Sequence, residues 1–178
     1  MSNKQFVYPA KTLSETRSKF KMPHQLKTSF FHGDYNLFKV YEVLPGDTFS
    51  LDVSSLIRMS TPIAPIMDNI TMHLAAYFVP NRLVYDNWEQ LMGANKSGAW
   101  TADDNTYKLP YVKTNVGSAD PNSYLCQAGL PALTTKEIDV QVLPFRALAL
   151  VWNEFYRNQN VTAPLAIDHS SANGAVTF

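Results

Sequence analysis

The sequence has little of what disulfide-stabilised, zinc-binding or membrane-spanning proteins require. It contains one cysteine, Cys126, which can close no disulfide within the chain and cannot supply the roughly four ligands of a structural zinc site. It has no run of the roughly 18 to 20 apolar residues that cross a membrane, and residues 1–10 lack the apolar block of a signal peptide. These absences exclude a stapled secreted miniprotein and a zinc finger, and they predict a soluble protein made in a reducing cytoplasm.

The motifs of common enzymes are missing as well. The histidines lie far apart and none has the i, i+4 spacing of a helical zinc site; they are His24, His32, His73 and His169. The acidic run 103–105 lacks the glycine and the final glutamate of an EF-hand loop, and there is no phosphate-binding glycine loop or Gly-x-Ser-x-Gly elbow. We therefore predict a protein that is not an enzyme and holds no metal or cofactor. A hydrolase built on Cys126 with a histidine is an alternative that Cys126→Ala would test.

What the sequence does have is enough apolar material for a folded domain and an uneven charge distribution. Of its 178 residues 46% are hydrophobic, which excludes a disordered protein, and 15 basic residues balance 15 acidic ones. Residues 1–33 nevertheless carry six basic residues against one acid. The basic residues are Lys4, Lys11, Arg17, Lys19, Lys21 and Lys27. This pattern predicts an extended basic arm over 1–33, which either binds a polyanion or only keeps the protein soluble.

Alternating apolar residues predict β-strands over 34–80. Leu37–Val43 and Thr48–Val53 alternate with a period of two and are separated by the turn sequence Pro45-Gly46-Asp47, which favours a hairpin or a corner. In Ile70–Val79 both faces are mostly apolar, which is typical of a strand inside a packed sheet or at a contact between subunits.

Two helices and a long loop are predicted further along the chain. Apolar residues at helical spacing, followed by Gly93, predict a short helix over Arg82–Met92, and the Gly- and Pro-rich stretch Ala94–Lys136 predicts a long loop. Pro144 opens the clearest helix, whose apolar face is formed by Phe145, Leu148, Ala149, Trp152, Phe155 and Tyr156. Beyond Asn160 the pattern fades into irregular structure.

A set of strings along the chain is more specific than any of these patterns. In order, the strings are Glu42–Thr48, Arg58–Ile63, Pro65–Asn69, Tyr77–Leu83, Asp86–Trp88, Leu143–Arg146 and Trp152–Arg157. Their order and spacing closely resemble the amino-terminal part of the major capsid protein of microviruses (Microviridae), the small single-stranded DNA bacteriophages, and in particular of the gokushovirus branch. The resemblance runs from about Arg17 to Asn160.

This resemblance implies a mainly β fold, the eight-stranded antiparallel jelly roll of viral capsids, with long loop and helical insertions. It also implies a structural virion protein that assembles with copies of itself into a T=1 icosahedral shell around circular single-stranded DNA, together with any other virion proteins and without a membrane. The expected location is the virion, and the host bacterial cytoplasm during assembly. Family members are several times longer, so this chain corresponds to the first part of the jelly roll, whose strand edges must be completed by other polypeptide.

The resemblance and the patterns together divide the chain into four parts. They are a basic arm (1–33), the first jelly-roll strands (34–80), an insertion with two short helices and a long loop (81–160), and an irregular end or the start of a further insertion (161–178). The six basic residues of the arm are the candidates to face DNA. An alternative function is a module that binds single-stranded nucleic acid through this arm.

Large aromatic and arginine side chains outside the arm are candidates for contacts between subunits, because such residues are enriched at interfaces. The candidates are Tyr77, Arg82, Trp88, Arg146, Trp152 and Arg157. For Trp88 and Trp152, each taken singly, simple packing in the core is favoured over an interface, whereas Arg146 and Arg157 are candidates for an interface or an ion pair.

Overall fold

Among the residues that the structure describes, regular secondary structure lies between Asn81 and Tyr156. The computed structural model describes residues 17–94, 107–114, 124–130 and 138–174. Its elements are, in order, a 3-10 turn (Asn81–Leu83), helix α1 (Trp88–Leu91), strand β1 (Tyr111–Thr114), helix α2 (Tyr124–Gln127), strand β2 (Ile138–Gln141), helix α3 (Leu143–Val151) and a π-helical turn (Trp152–Tyr156). Within these described ranges the structure is therefore a small antiparallel sheet with short helices, and the jelly roll stays a prediction.

Strands β1 and β2 form the sheet. They are antiparallel, with Tyr111 opposite Gln141 and Thr114 opposite Ile138. A hydrogen bond from Val142 N to Pro110 O (3.1 Å) continues the pairing to the start of α3. The prediction of one long loop over Ala94–Lys136 was therefore wrong at β1 and at α2; most of that stretch, with Trp100, lies outside the described residues.

Helix α3 begins at Leu143, with Pro144 in its first turn as the sequence predicted. Proline is tolerated in the first turn because its missing N–H would have no partner there, and the first main-chain bonds run from Phe145 N and Arg146 N to Val142 O, both at 3.0 Å. Six of its nine residues are buried. They are Leu143, Phe145, Arg146, Leu148, Ala149 and Val151. The helix is thus the central element of the core.

The π-helical turn changes the end of the predicted helix. Arg157 N donates to Trp152 O (2.9 Å), a spacing of five residues that places one extra residue in the turn. The prediction that Phe155 and Tyr156 share the buried face was wrong, because the extra residue rotates them outward and leaves their side chains 66% and 46% exposed. The aromatic end of the helix therefore lies on the surface.

The core forms where α3 packs against residues 79–91. Val84, Tyr85 and Leu143 are at most 2% exposed and are surrounded by the half-buried side chains of Val79, Trp88, Leu91, Ala147 and Leu150. Burial of one such apolar side chain contributes about 1.5–3 kcal/mol. The predicted helix over Arg82–Met92 is interrupted at residues 84–87, where the side chains of Val84 and Tyr85 are buried. Gly93, with φ of +101°, ends α1 as predicted.

Residues 17–78 contribute nothing to the buried core. None of the three predicted strands pairs with another described strand, although the Pro45-Gly46-Asp47 turn forms, with Asp47 N bonded to Leu44 O (3.1 Å) and Gly46 at φ +86°. The turn brings the rings of Tyr41 and Phe49 to 6.1 Å from each other, but no ladder follows. Of the two predicted alternatives, the described residues form no paired hairpin here, whereas the chain does turn at 45–47.

Candidate assembly surfaces

The cations of the basic arm that the structure describes lie at the surface. Lys19, Lys21 and Lys27 are exposed, and Arg17 donates through Nη1 to Gly46 O at 2.6 Å. Arg17 thereby ties the arm to the turn at 45–47. Lys4 and Lys11 lie outside the described residues. The side chains that are described are accessible to a polyanion, as a role facing DNA would require.

An aromatic cluster forms where the extended chain meets the π-helical turn. The ring of Tyr77 lies 4.8 Å from that of Phe155, and its hydroxyl is 2.9 Å from the hydroxyl of Tyr156. The ring of Tyr35 lies 4.7 Å from that of Tyr156. Of these four residues the sequence predicted only Tyr77 as an interface candidate. The sequence pattern places Phe155 and Tyr156 on an apolar helix face, and no sequence signal singles out Tyr35.

Two phenols of the cluster, those of Tyr35 and Tyr156, have raised pKa values and stay protonated over the physiological pH range. Burial is the main reason that the pKa of Tyr35 is far above its ordinary value, and the neighbouring phenols of Tyr156 and Tyr77 add to the effect. The hydrogen bond with Tyr77 raises the pKa of Tyr156, and burial raises it further. A neutral and largely exposed aromatic surface is suited to contact with protein rather than with phosphate.

The remaining interface candidates fall into different environments. Arg82 is exposed on the 3-10 turn, whereas Trp88 packs against the core and is half-buried, as is Trp152. Arg157 is half-buried and donates to Thr162 O (2.9 Å), while its Nε atom is buried without a partner. The structure thus brings Tyr77 together with the π-helical turn but does not gather the six candidates into one patch.

Arg146 has an internal role. It is 1% exposed, and its guanidinium donates to three main-chain carbonyls, those of Val84 (3.3 Å), Ser170 (3.1 Å) and Ala172 (3.3 Å). Burial lowers the pKa of its guanidinium, and the nearby Asp168 carboxylate opposes that shift. Because these partners belong to the same chain, Arg146 is not accessible to a neighbouring subunit, which corrects its placement among the interface candidates.

Two features are absent from the described part of the chain. Within residues 17–94, 107–114, 124–130 and 138–174 no group of three or more His, Cys, Asp or Glu side chains is positioned to hold a metal ion. Among the same residues no helix has the length and apolar character needed to span a membrane. Cys126 is half-buried in α2.

Comparison with known proteins agrees with this description. The chain is 41% identical over 170 residues to the capsid protein VP1 of Chlamydia phage 1, in an alignment that covers 94% of this chain and 28% of that protein. It is 33% identical to VP1 of Bdellovibrio phage phiMH2K and 31% identical to VP1 of Spiroplasma virus 4, over 85% and 88% of this chain. In each case the chain spans 28% of the relative's length.

The predicted resemblance to microvirus capsid proteins is therefore confirmed, and the names of these relatives are those of structural, non-enzymatic virion proteins. A family model described as "Capsid protein (F protein)" matches residues 10–176, nearly the whole chain, and on this basis the chain belongs to the phage capsid protein (F protein) family.

Proposed function

We propose that this chain builds a virion shell by completing its strands with neighbouring polypeptide, and that it carries out no reaction. The observation that carries the proposal is the exposure of its extended apolar runs. Leu51 is 60% exposed, Leu56 83%, Ile70 67% and Phe78 74%. Apolar side chains in extended, unpaired backbone are a template for added strands, and an isolated chain would leave them open to aggregation.

The pattern of these runs fits a jelly roll. Thr48–Val53 is apolar on one face and suits a half-buried strand, whereas Ile70–Val79 is apolar on both faces and suits a strand covered on both sides. Relatives more than three times as long, of which this chain spans 28%, carry further sequence that can supply the missing edges. We therefore place residues 34–80 as the first strands of such a fold and 81–160 as an insertion between strands.

Two surfaces then have separate partners. The exposed lysines of the arm face the single-stranded DNA, where cations neutralise phosphate and release counterions. The neutral aromatic cluster around Tyr77 and Tyr156 faces a neighbouring subunit of the icosahedral shell, with Arg82 as a further contact. The protein is accordingly located in the virion. A free nucleic-acid-binding module explains the basic arm but leaves the exposed apolar runs of the described residues without a partner. The capsid proposal accounts for both features.

Hydrogen exchange of monomeric and assembled material tests this proposal. The chain is fractionated by sedimentation, and amide exchange is measured separately for the monomer and for the fast-sedimenting fraction examined by electron microscopy. We expect the amides of 48–53 and 70–78 to exchange rapidly in the monomer and to be protected in the assembled fraction, while those of α3 are protected in both. A chain that stays monomeric under every condition, with 48–53 and 70–78 already protected, would refute the proposal.

A further inference from the structure

The segment Leu165–Asn173 lies on the folded part of the chain as an extended peptide. It has no regular secondary structure, and burial alternates along it. Leu165, Ile167, His169 and Ser171 are half-buried, whereas the residues between them are exposed. A period of two is the signature of extended backbone with one face against a surface. None of the other described residues, however, pairs with this segment as a β-strand.

Instead, side chains of the folded part bind the main chain of the segment. Asn153 binds Leu165 at both of its polar groups: Nδ2 donates to Leu165 O (3.0 Å), and Leu165 N donates to Oδ1 (2.8 Å). Arg146 donates to Ser170 O and Ala172 O. The side-chain amide of Asn153 and the guanidinium of Arg146 thus make the hydrogen bonds to the main chain that a neighbouring strand would otherwise make.

A serine hydroxyl provides the side-chain part of the recognition. Ser171 Oγ lies 2.9 Å from the hydroxyl of Tyr85 and accepts from Asn87 Nδ2 at 3.2 Å. The backbone adds Asp86 N to His169 O (3.0 Å). Tyr85 and Asn87 lie 86 and 84 residues from Ser171 along the chain, whereas Arg146 and Asn153 lie 12 to 26 residues from the residues that they bind in the segment. The contacts therefore depend on the folded surface rather than on the sequence next to the segment.

We infer that Tyr85, Asn87, Arg146 and Asn153 form a peptide-binding site whose ligand is the chain's own 165–173 segment. Recognition rests on main-chain groups together with one hydroxyl, so it does not require the covalent connection at 158–164. That connection is exposed in its middle, with Val161 81% exposed. The segment consequently behaves as a bound ligand that can leave and return, and a separate peptide of the same sequence can occupy the site.

A nicked full-length chain tests the inference. A specific protease site is inserted between Ala163 and Pro164, the folded protein is cut, and gel filtration shows whether residues 164–178 stay with the body. We expect them to remain bound at micromolar concentration and to be displaced by an excess of the synthetic 164–178 peptide. Fluorescence anisotropy of a labelled peptide then gives its affinity for the cut protein. Release of the segment on cutting, or a lack of exchange with added peptide over many hours, would overturn the inference.

Peptide variants provide controls that leave the folding of the body unchanged. Ser171→Ala in the peptide removes the hydroxyl that is hydrogen-bonded to both Tyr85 and Asn87, and we expect binding about tenfold weaker. The matched control is Ala166→Ser in the same peptide, at an exposed position, with binding unchanged within about twofold. Equal losses for the two peptides would show that the surface holds the segment without specific recognition, contrary to the inference.

Discussion

Replacing Arg146 by methionine removes the charged group that joins α3 to the loop at Val84 and to the segment 165–173. The three carbonyl bonds are of 3.1 to 3.3 Å, and hydrogen bonds that involve a charged group contribute about 1.5–3 kcal/mol each. The sum is an upper limit, because methionine avoids the cost of burying a cation and two of the three carbonyls are partly accessible to water. We expect a net loss of about 3 kcal/mol in the free energy of unfolding, with most of the loss due to the orphaned carbonyl of Val84.

Urea unfolding followed by tryptophan fluorescence measures this loss, since Trp88 packs against the core and Trp152 is half-buried next to α3. The matched control is Arg82→Met, the same substitution at an exposed arginine, for which we expect a change within about 0.5 kcal/mol. Arg146→Lys keeps the charge but cannot reach three carbonyls in a fixed fork, so it should recover only part of the loss. A cost for Arg146→Met no larger than that for Arg82→Met would refute the assignment of Arg146 as an internal clamp.

Three further outcomes are expected. Because the folded chain keeps the pKa of Tyr35 above that of an unfolded phenol, stability is complete below about pH 10 and falls as the pH rises beyond it; Tyr35→Phe should flatten this fall in urea titrations at several pH values. Ala149→Leu, at a position with 0% exposure, should cost about 1–3 kcal/mol by overpacking in the same assay. Replacing Lys19, Lys21 and Lys27 by glutamine should reduce the salt dependence of binding to single-stranded DNA, whereas an unchanged slope would count against a DNA-facing arm.

The features that the sequence predicted correctly are those decided by neighbouring residues. Pro144 opens a helix because its ring fixes φ, and Gly93 ends one because only glycine adopts φ of +101° without strain. The predicted strands alternate with a period of two, but a strand forms only against a partner edge, and none of the three is paired with another described residue range. The buried position of Arg146 was equally hidden, because the carbonyls that make it tolerable come from 24, 26 and 62 residues away.

The aromatic cluster is a second feature that the sequence pattern could not predict. An apolar helix face that ends in Phe155 and Tyr156 has the same spacing whether or not a π-helical turn intervenes. The π-helical turn depends on tertiary packing, and the spacing of apolar residues in the sequence carries no information on that packing. The resemblance to a capsid family, by contrast, depended on the order of short strings, and it identified the family without any knowledge of where these side chains lie.

The extra residue in the turn at Trp152–Tyr156 fixes the phase of the helix end. In an α-helix each residue advances the direction of the side chains by about 100°. Regular α-helical winding of the present sequence would place Phe155 and Tyr156 ten and eleven residues after Phe145, on the buried side of the helix, whereas the π-helical turn sets them back by about one residue, or about 100°. Deleting one residue between Trp152 and Phe155 would shorten the sequence by the same step, so a regular α-helix formed after the deletion would still direct both rings outward. A single-residue deletion in this turn should therefore keep the outward patch together with any lateral adhesion that depends on it.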